Sequence, residues 1–163
     1  IRMVPPVVVA VPMYVLWTKF GLTGGLSGLV LAYLGLTIPL NVWMLSIFIK
    51  EIPFELEEAA AIDGCSYMRI LWGIVVPLIK PGISVTSVFT FRTAWNEFLL
   101  AIILSNRSTR TLPAAVSLMI SDLGINWGQI MAMATIIAIP AFIVTFACSK
   151  NLITGMTAGA VKG

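Results

Sequence analysis

Two windows of this chain, residues 26–49 and 126–149, run for 24 residues each without a single Asp, Glu, Lys or Arg. About 20 consecutive apolar residues are enough for a helix to cross the hydrocarbon core of a bilayer. Charged residues make up 10% of the chain and hydrophobic residues 59%, whereas soluble domains carry about 25% charged residues. The sequence therefore predicts an all-α integral membrane protein.

Two further segments are candidate spans of less regular composition. Residues 3–18 are uncharged but short and rich in proline, whereas residues 81–105 are long enough but carry two charges. Together with the uncharged windows they predict about four transmembrane helices, with bends at Pro39 and Pro140. No repeat or linker divides the chain, so we expect a single transmembrane domain over residues 1–163.

Several kinds of chemical site lack the residues they need. The chain has no histidine, and Cys65 and Cys148 are not part of a CxxC pair, which argues against His-based catalysis and an ordinary zinc site. No lysine follows the glycine-rich residues 21–28, so they are not a phosphate-binding loop. A net charge of +3 without a basic stripe argues against nucleic acid. We expect no metal, no cofactor and no enzymatic activity, and any driving ATP to be bound by another chain.

Residues 50–80 form a polar segment between two apolar ones. Five of the seven acidic residues of the chain lie within it. With four spans, this segment and both termini share one side of the membrane, which then holds six Lys and Arg residues against three on the other side. The excess of positive charge predicts that this side is cytoplasmic.

The first part of the polar segment has the pattern of a helix–turn–helix. Pro53 is predicted as the first helical residue, and the glutamates after it favour a helix N-terminus. Gly64 is a typical helix stop, and Ser66 is a typical N-cap for a second helix that runs toward Pro77. Four residues share one face and are expected to be exposed to a partner: Leu56, Ala59, Ala60 and Asp63. Periodicity alone favours a plainer alternative, an interfacial helix that only links two spans.

The spacing within this segment resembles the EAA signature of ATP-binding-cassette (ABC) importer permeases, written EAA, three residues, G, nine residues, I, one residue, L, P. The matching positions are Glu58-Ala59-Ala60, Gly64, Ile74 and Val76-Pro77, with valine in place of the usual leucine. Three other pieces are similar to the carbohydrate-uptake branch and its maltose-type second permease subunit. They are WNEF at 95–98, TLP at 111–113 and the ending at 155–163.

This resemblance implies a multi-pass subunit of a bacterial-type inner membrane that forms half of a translocation pathway for a sugar. The implied partners are a second permease subunit, a cytoplasmic ATP-binding-cassette ATPase dimer, an extracytoplasmic solute-binding protein and the lipid bilayer. Such subunits typically have six spans, so we expect this chain to be the C-terminal part of a six-span domain, with residues 50–80 as its coupling loop. The residues implied to dock on the ATPase are Glu58, Ala59, Ala60, Asp63 and Gly64.

A second group of candidate residues lies within the third predicted span. Arg92 and Glu97 would be at membrane depth, where a central charge costs about 2.5–3.5 kcal/mol and normally faces a cavity or a partner charge. Trp95 offers a ring for stacking and Asn96 an amide for hydroxyl groups, as sugar sites do. These four residues are predicted to line the pathway. A structural role is the open alternative, because WNEF recurs in the resembled family irrespective of the sugar.

The rest of the chain leaves further alternatives open. Residues 106–126 are expected as an outside loop that either reaches toward the binding protein or only connects two spans. A short tail after Ser149 is expected to leave the membrane, with Lys162 near the ATPase. Two other functions remain open: an importer permease for an amino acid or a phosphate ester, and a channel or ion-coupled carrier that uses Arg92 and Glu97.

Overall fold

The computed structural model describes residues 5–121 and 124–160, without the side chains of residues 121 and 149–160. The described chain is predominantly helical. In chain order the helices are α1 Pro6–Lys19, α2 Leu26–Lys50, α3 Phe54–Ile62, α4 Tyr67–Ile70, α5 Val76–Leu78, α6 Lys80–Trp95, α7 Leu99–Leu104, α8 Leu112–Val116 and α9 Trp127–Ala160. A π-helical stretch, Leu71–Val75, joins α4 to α5.

Two of the described helices are long and apolar enough to cross a membrane: α2, and α9 over Trp127–Cys148. The neighbouring pair Tyr67–Leu78 and Lys80–Trp95 is bent by 75° and counts as a third span if the two are taken together. Helix α1 is apolar but has only 14 residues. The all-helical membrane fold is thus confirmed, with two or three candidate spans in the described residues where the sequence suggests about four.

The third predicted span is interrupted in the structure. Helix α6 ends at Trp95 and α7 begins only at Leu99, so residues 81–105 do not form one continuous helix.

The last helix is longer than predicted, because the backbone of α9 stays helical to Ala160 where a tail was predicted. A single glycine costs a helix only about 1 kcal/mol, and no proline follows Pro140 to end it. Lys162 lies outside the described residues.

The predicted outside loop has more regular structure than a simple connector. It contains α8, a 3₁₀ turn at Ser117–Met119 and a short antiparallel pair, β1 Ile120–Ser121 with β2 Gly124–Ile125. Before α8, the side-chain oxygen of Asn106 accepts hydrogen bonds from the backbone N–H groups of Ser108 at 2.9 Å and Thr109 at 3.1 Å. This Asx turn restricts the backbone conformation at the start of the loop through local hydrogen bonds.

Among the described residues, the chain groups into two compact units. One unit combines the residues up to Pro39 with Phe91–Val144. Small residues make up much of its core and let α1 and α7 approach closely. The buried members of this core are Ala10, Leu29, Ala32, Leu100, Ala101, Leu104 and Ala114.

Hydrogen bonds hold the turn between α1 and α2 in place within this unit. Gly21 and Gly24 adopt positive φ angles of 67° and 77°, which glycine reaches without steric cost. The N–H of Gly24 donates to the carbonyl oxygen of Leu104 at 2.7 Å, and the hydroxyl of Thr109 donates to the carbonyl oxygen of Gly24 at 3.0 Å. The indole N–H of Trp17 donates to a carbonyl oxygen at the start of α2, at 2.7 Å.

The second unit combines Leu40–Thr90 with the chain from Thr145 onward. Its core cluster consists of the buried residues Ala60, Ile70, Val75 and Ile79, and residues of α2 such as Leu45 and Phe48 pack against it. A Cβ atom on Gly82 would lie 2.5 Å from the ring of Phe48. The glycine therefore allows α6 to approach α2 more closely than any other residue could.

Candidate functional site

The α3–α4 hairpin, which consists of α3, the turn at residues 63–66 and α4, carries all five predicted docking residues. Its first helix begins one residue later than predicted: Pro53 is the N-cap and Phe54 the first helical residue. Proline still suits this position, because it has no N–H to leave unpaired. Glu55 and Glu57 lie in the first turn, where the helix dipole favours negative charge. The charge pattern of α3 thus agrees with the sequence prediction.

Gly64 ends α3 as predicted. Its φ angle is +78°, and the N–H of Cys65 donates to the carbonyl oxygen of Ala60 while the N–H of Gly64 donates to that of Ala61, both at 3.0 Å. This pair of bonds is a Schellman motif, which satisfies the last carbonyl groups of a helix. Ser66 is the N-cap of α4, as predicted, but its side chain makes no capping hydrogen bond.

The structure corrects the exposed strip on α3. Ala60 is 8% exposed and belongs to the core cluster with Ile70, Val75 and Ile79. The other three members of the predicted strip, Leu56, Ala59 and Asp63, are exposed, and so are Glu58 and Ala61. Alanine contributes little hydrophobic area, so its periodicity does not indicate which of several adjacent alanines faces inward. Ala60 anchors the helix while its neighbours form the free surface.

Between α3 and α4 lies an open groove with a volume of about 460 Å³. Glu57 and Glu58 are among the residues that line it, and its lining is mainly apolar. Apart from these two, the lining residues are Phe54, Ala61, Tyr67, Met68, Ile70, Leu71 and Val75. The groove combines two carboxylates with a mainly apolar lining, which is suited to an apolar side chain accompanied by a positive charge.

Ala61, Tyr67 and Met68 line the groove but are not among the docking residues predicted from the sequence. Tyr67 is 91% exposed and Met68 67% exposed, although both are large apolar side chains. Ala61 lies three and four residues after Glu58 and Glu57 and therefore shares their helix face. That spacing could have identified Ala61 from the sequence. Tyr67 and Met68 lie in α4, and their approach to α3 depends on the turn between the helices.

The predicted return of the chain toward the membrane passes through the π-helical stretch. Ile74 packs against the core cluster of this unit, and Val76 and Pro77 lie in the short helix α5 that follows. The part of the signature after Gly64 therefore lies in helical structure that leads from the hairpin to α6.

Glu97 has a definite structural partner. It lies in the break after α6, and its two carboxylate oxygens accept hydrogen bonds from the backbone N–H groups of Leu100 at 2.8 Å and Ala101 at 2.9 Å. The carboxylate thereby caps α7, whose first N–H groups have no partner within the helix. Each carboxylate oxygen of Glu97 accepts a hydrogen bond, which explains how the negative charge is tolerated in this apolar segment.

The other three residues of this group lie around the same break. The indole N–H of Trp95 donates to the carbonyl oxygen of Ile137 in α9 at 3.0 Å, and the Trp95 ring stacks on Phe91 with centroids 5.4 Å apart. The side-chain amide of Asn96 donates to the carbonyl oxygen of Arg92 at 3.0 Å. Trp95 is half-buried, whereas Arg92 and Asn96 are exposed. These contacts favour the structural alternative for Trp95, and the pathway-lining role of the four residues remains a prediction.

Metal chemistry finds no support in the described part of the chain, where no three His, Cys, Asp or Glu residues come together in a way that could hold an ion. Cys65 and Cys148 are free and half-buried.

Comparison with known proteins gives a consistent result. The family described as binding-protein-dependent transport system inner membrane component matches residues 1–157. The diacetylchitobiose uptake system permease protein DasC of Streptomyces coelicolor is 34% identical over 163 residues, covering 99% of this chain and 59% of that protein. The trehalose/maltose transport system permease protein MalG of Thermococcus litoralis is 35% identical over 147 residues, covering 89% of this chain and 53% of that protein.

A solved bacterial ABC transporter involved in the import of the acidic polysaccharide alginate has a similar fold. The TM-score is 0.59 at 21% sequence identity, and the match covers 94% of this chain and 56% of that chain. The chain spans between 53% and 69% of the length of the relatives compared with it. The relatives above are named as transport system permease proteins and not as enzymes. The resemblance seen in the sequence is confirmed, and the chain belongs to the family of binding-protein-dependent transport system inner membrane components.

Proposed function

We propose that this chain is part of a permease subunit of an ATP-driven, binding-protein-dependent importer, that it forms half of the membrane pathway, and that it docks on a separate ATPase. The observation that carries the proposal is the α3–α4 hairpin. It offers an exposed surface with Glu58, Ala59 and Asp63, and a groove that two carboxylates help to line. Small side chains permit close approach of a partner, and the carboxylates attract a cationic residue.

The underside of the hairpin supports a coupling role. Ala60 and Ile70, one from each of its helices, are buried in the same cluster, against which Phe48 of α2 packs. A packed cluster transmits displacement because it has little free volume. A partner that pulls on the exposed side of α3 would therefore move α2 along with the hairpin. Closure of an ATPase dimer on ATP would in this way rock the permease halves between inward-facing and outward-facing states.

The side of the membrane belongs to the same proposal. Lys50, Arg69 and Lys80 lie at the hairpin end of α2 and α6 or on α4. With the termini of the four-span topology they make six Lys and Arg residues on this side against three on the other, and such an excess of positive charge is typical of cytoplasmic segments. We place the hairpin in the cytoplasm of a bacterial-type cell, with the protein as a multi-pass inner-membrane subunit beside a second permease subunit. The opposite loops would then face an extracytoplasmic solute-binding protein.

The proposed solute is a sugar or a sugar derivative. Relatives over most of this chain are named for diacetylchitobiose uptake, trehalose/maltose transport and sulfoquinovosyl glycerol transport. The ion-coupled carrier has less support, because both oxygens of Glu97 are occupied by backbone N–H groups. An amino acid or phosphate ester as the solute is tested by the second experiment below.

Reversal of the charge at Glu58 tests the docking surface. In the complete transporter, Glu58→Lys is expected to lower solute uptake by about tenfold or more, because a repulsive contact that costs about 1.4 kcal/mol is already tenfold in affinity. Co-purification of the ATPase and stimulated ATP hydrolysis are measured beside uptake. Glu55→Lys is the matched control, since Glu55 is an exposed acid of the same helix that does not line the groove. Equal effects of the two variants, or wild-type uptake in both, would contradict the docking assignment.

The solute class is tested on the cognate solute-binding protein. Calorimetric titration with mono-, di- and oligosaccharides, polyols, glycerol phosphates and amino acids is expected to give tight binding of at least one carbohydrate. The physical reason is that a site built for hydroxyl groups leaves polar groups unpaired with a ligand that lacks them. Tight binding of an amino acid alone would overturn the sugar proposal and leave the docking surface untouched.

A further inference from the structure

Asn41 is a polar residue in the middle of the apolar helix α2. It lies 15 residues after the start of the helix at Leu26 and nine before its end at Lys50, or about 22 Å and 14 Å along the axis at 1.5 Å per residue. Its side chain contacts the hydroxyl of Thr90 in α6 at 2.7 Å. This is a direct side-chain bridge between two helices of the second unit.

The bridge uses only half of the Asn41 amide. The Thr90 hydroxyl has one proton, and it lies 2.7 Å from the Asn41 oxygen and 2.8 Å from the carbonyl oxygen of Thr86. Whichever of the two accepts the proton, the other end of the Asn41 amide has no hydrogen-bond partner among the residues that the structure describes. An amide group left unpaired in hydrocarbon is costly, so such a group normally faces protein, water or a cavity.

The position of Asn41 on the helix excludes the lipid face. Leu45 and Phe48 follow it at i+4 and i+7, and both pack against the core cluster of this unit, so Asn41 shares their inward stripe. Val42, one residue on and about 100° around the helix, is 63% exposed and belongs to the outer apolar surface. Asn41 itself is half-buried, and Thr90 is half-buried with it.

The bridge also has a fixed place along the helix pair. Gly82 of α6 is in close approach to Phe48 of α2, and Asn41 lies seven residues before Phe48 while Thr90 lies eight residues after Gly82. Helices α2 and α6 are therefore antiparallel here. They are in close contact at Gly82 and Phe48, and the Asn41–Thr90 bridge lies about two helical turns away from that contact. The polar groups therefore sit at membrane depth on a rigid support.

We propose that Asn41, held by Thr90, lines the aqueous solute path through the membrane and that its free amide group hydrogen-bonds hydroxyl groups of the passing solute. A neutral amide both donates and accepts hydrogen bonds and is suited to uncharged polyhydroxyl compounds. The choice of a polyhydroxyl solute rests on the proposed function. The inference that Asn41 is exposed to water does not depend on which solute is carried.

The first test is the water accessibility of position 41. In the complete transporter, with Cys65 and Cys148 replaced by alanine, Asn41→Cys is treated with a membrane-impermeant methanethiosulfonate in nucleotide-free and ATP-trapped states. Labelling is expected to be at least about tenfold faster than that of Val42→Cys in one of these states, because the reactive thiolate forms only in contact with water. Equal rates at the two positions in both states would overturn the proposal, and slow labelling of both is the result expected if Asn41 instead contacts a second permease subunit.

The second test addresses the solute contact. Asn41→Ala is expected to raise the solute concentration for half-maximal uptake by about threefold to tenfold, as the loss of one hydrogen bond implies. Asn41→Gln is expected to restore part of this loss. Thr37→Val is the control, because among the described residues the Thr37 hydroxyl bonds only the carbonyl oxygen of Tyr33 in its own helix. If Asn41→Ala lowers the amount of assembled transporter without changing that concentration, the bridge is structural only and the solute contact is refuted. A non-sugar solute that protects the Asn41→Cys variant from labelling would refute the sugar proposal instead.

Discussion

Replacing Gly64 by valine is expected to abolish the coupling of ATP hydrolysis to uptake in the complete transporter. Gly64 has a φ angle of +78°, and a β-branched residue in this region is strained by about 1–2 kcal/mol or more. The two hydrogen bonds that end α3 depend on this conformation, so α4 would leave the turn in another direction and the groove would lose a wall. Uptake and binding-protein-stimulated ATP hydrolysis in proteoliposomes measure the result, with uptake expected to fall by at least about tenfold.

The matched control at this position is Gly64→Asn. A Cβ atom on Gly64 would meet nothing within 4 Å, so both variants fit and differ only in how well they tolerate a positive φ. Asparagine is the usual substitute for glycine at this point of a helix end, and it is expected to retain most of the uptake. Wild-type coupling in the valine variant, or an equal loss in both variants, would show that the turn does not transmit the signal.

Replacing Gly28 by alanine is expected to give the largest loss of stability. A Cβ atom there would lie 2.0 Å from the carbonyl oxygen of Leu22 and 2.9 Å from Cδ1 of Trp17. The first contact is with backbone, so no side-chain rotation relieves it, and the start of α2 must move away from the preceding turn. The hydrogen bond from the Trp17 indole to the Gly28 carbonyl oxygen, 2.7 Å long, would be disturbed as well. Overpacking of this kind typically costs about 1–3 kcal/mol, and more where backbone is involved.

The fraction of detergent-solubilised protein that stays monodisperse after heating measures this effect. Gly35→Ala in the same helix is the control, because nothing lies within 4 Å of a Cβ atom there and alanine favours a helix by about 0.5–1 kcal/mol. We expect a lower midpoint temperature for Gly28→Ala and an unchanged or higher one for Gly35→Ala. Identical midpoints would contradict the close packing of the turn against α2.

Much of the fold follows from local properties of the sequence. The uncharged windows locate α2 and the membrane part of α9, because a long apolar run has few other ways to satisfy its backbone. Gly64 and the glutamates before it locate the end and the polarity of α3, since both signals act within one or two turns. The family resemblance depended on the same residues.

What the sequence did not reveal depends on contacts between distant parts of the chain. Ala60 is buried because Ile70 and Val75, which follow the turn, belong to the same buried cluster. The sequence does not indicate which of three adjacent alanines is buried. The break before α7 has a local signal in hindsight, a carboxylate three residues before the N–H group it caps. The sequence pattern instead predicts Glu97 as a charge within a continuous span. The Asn41–Thr90 bridge joins residues 49 positions apart, and no local pattern predicts it.

The π-helical stretch Leu71–Val75 determines which side chains face the core where the hairpin continues toward α6. Ile70, Val75 and Ile79 are all buried in one cluster, yet five α-helical residues would turn Val75 about 140° away from Ile70. The N–H of Val76 bonds the carbonyl oxygen of Leu71 instead, and this wider turn brings Val75 back to the same side. A chain with one residue fewer here could present the same three side chains through an ordinary α-turn. The number of residues between Gly64 and Pro77, and not only their identity, therefore determines which side of the helix faces the core.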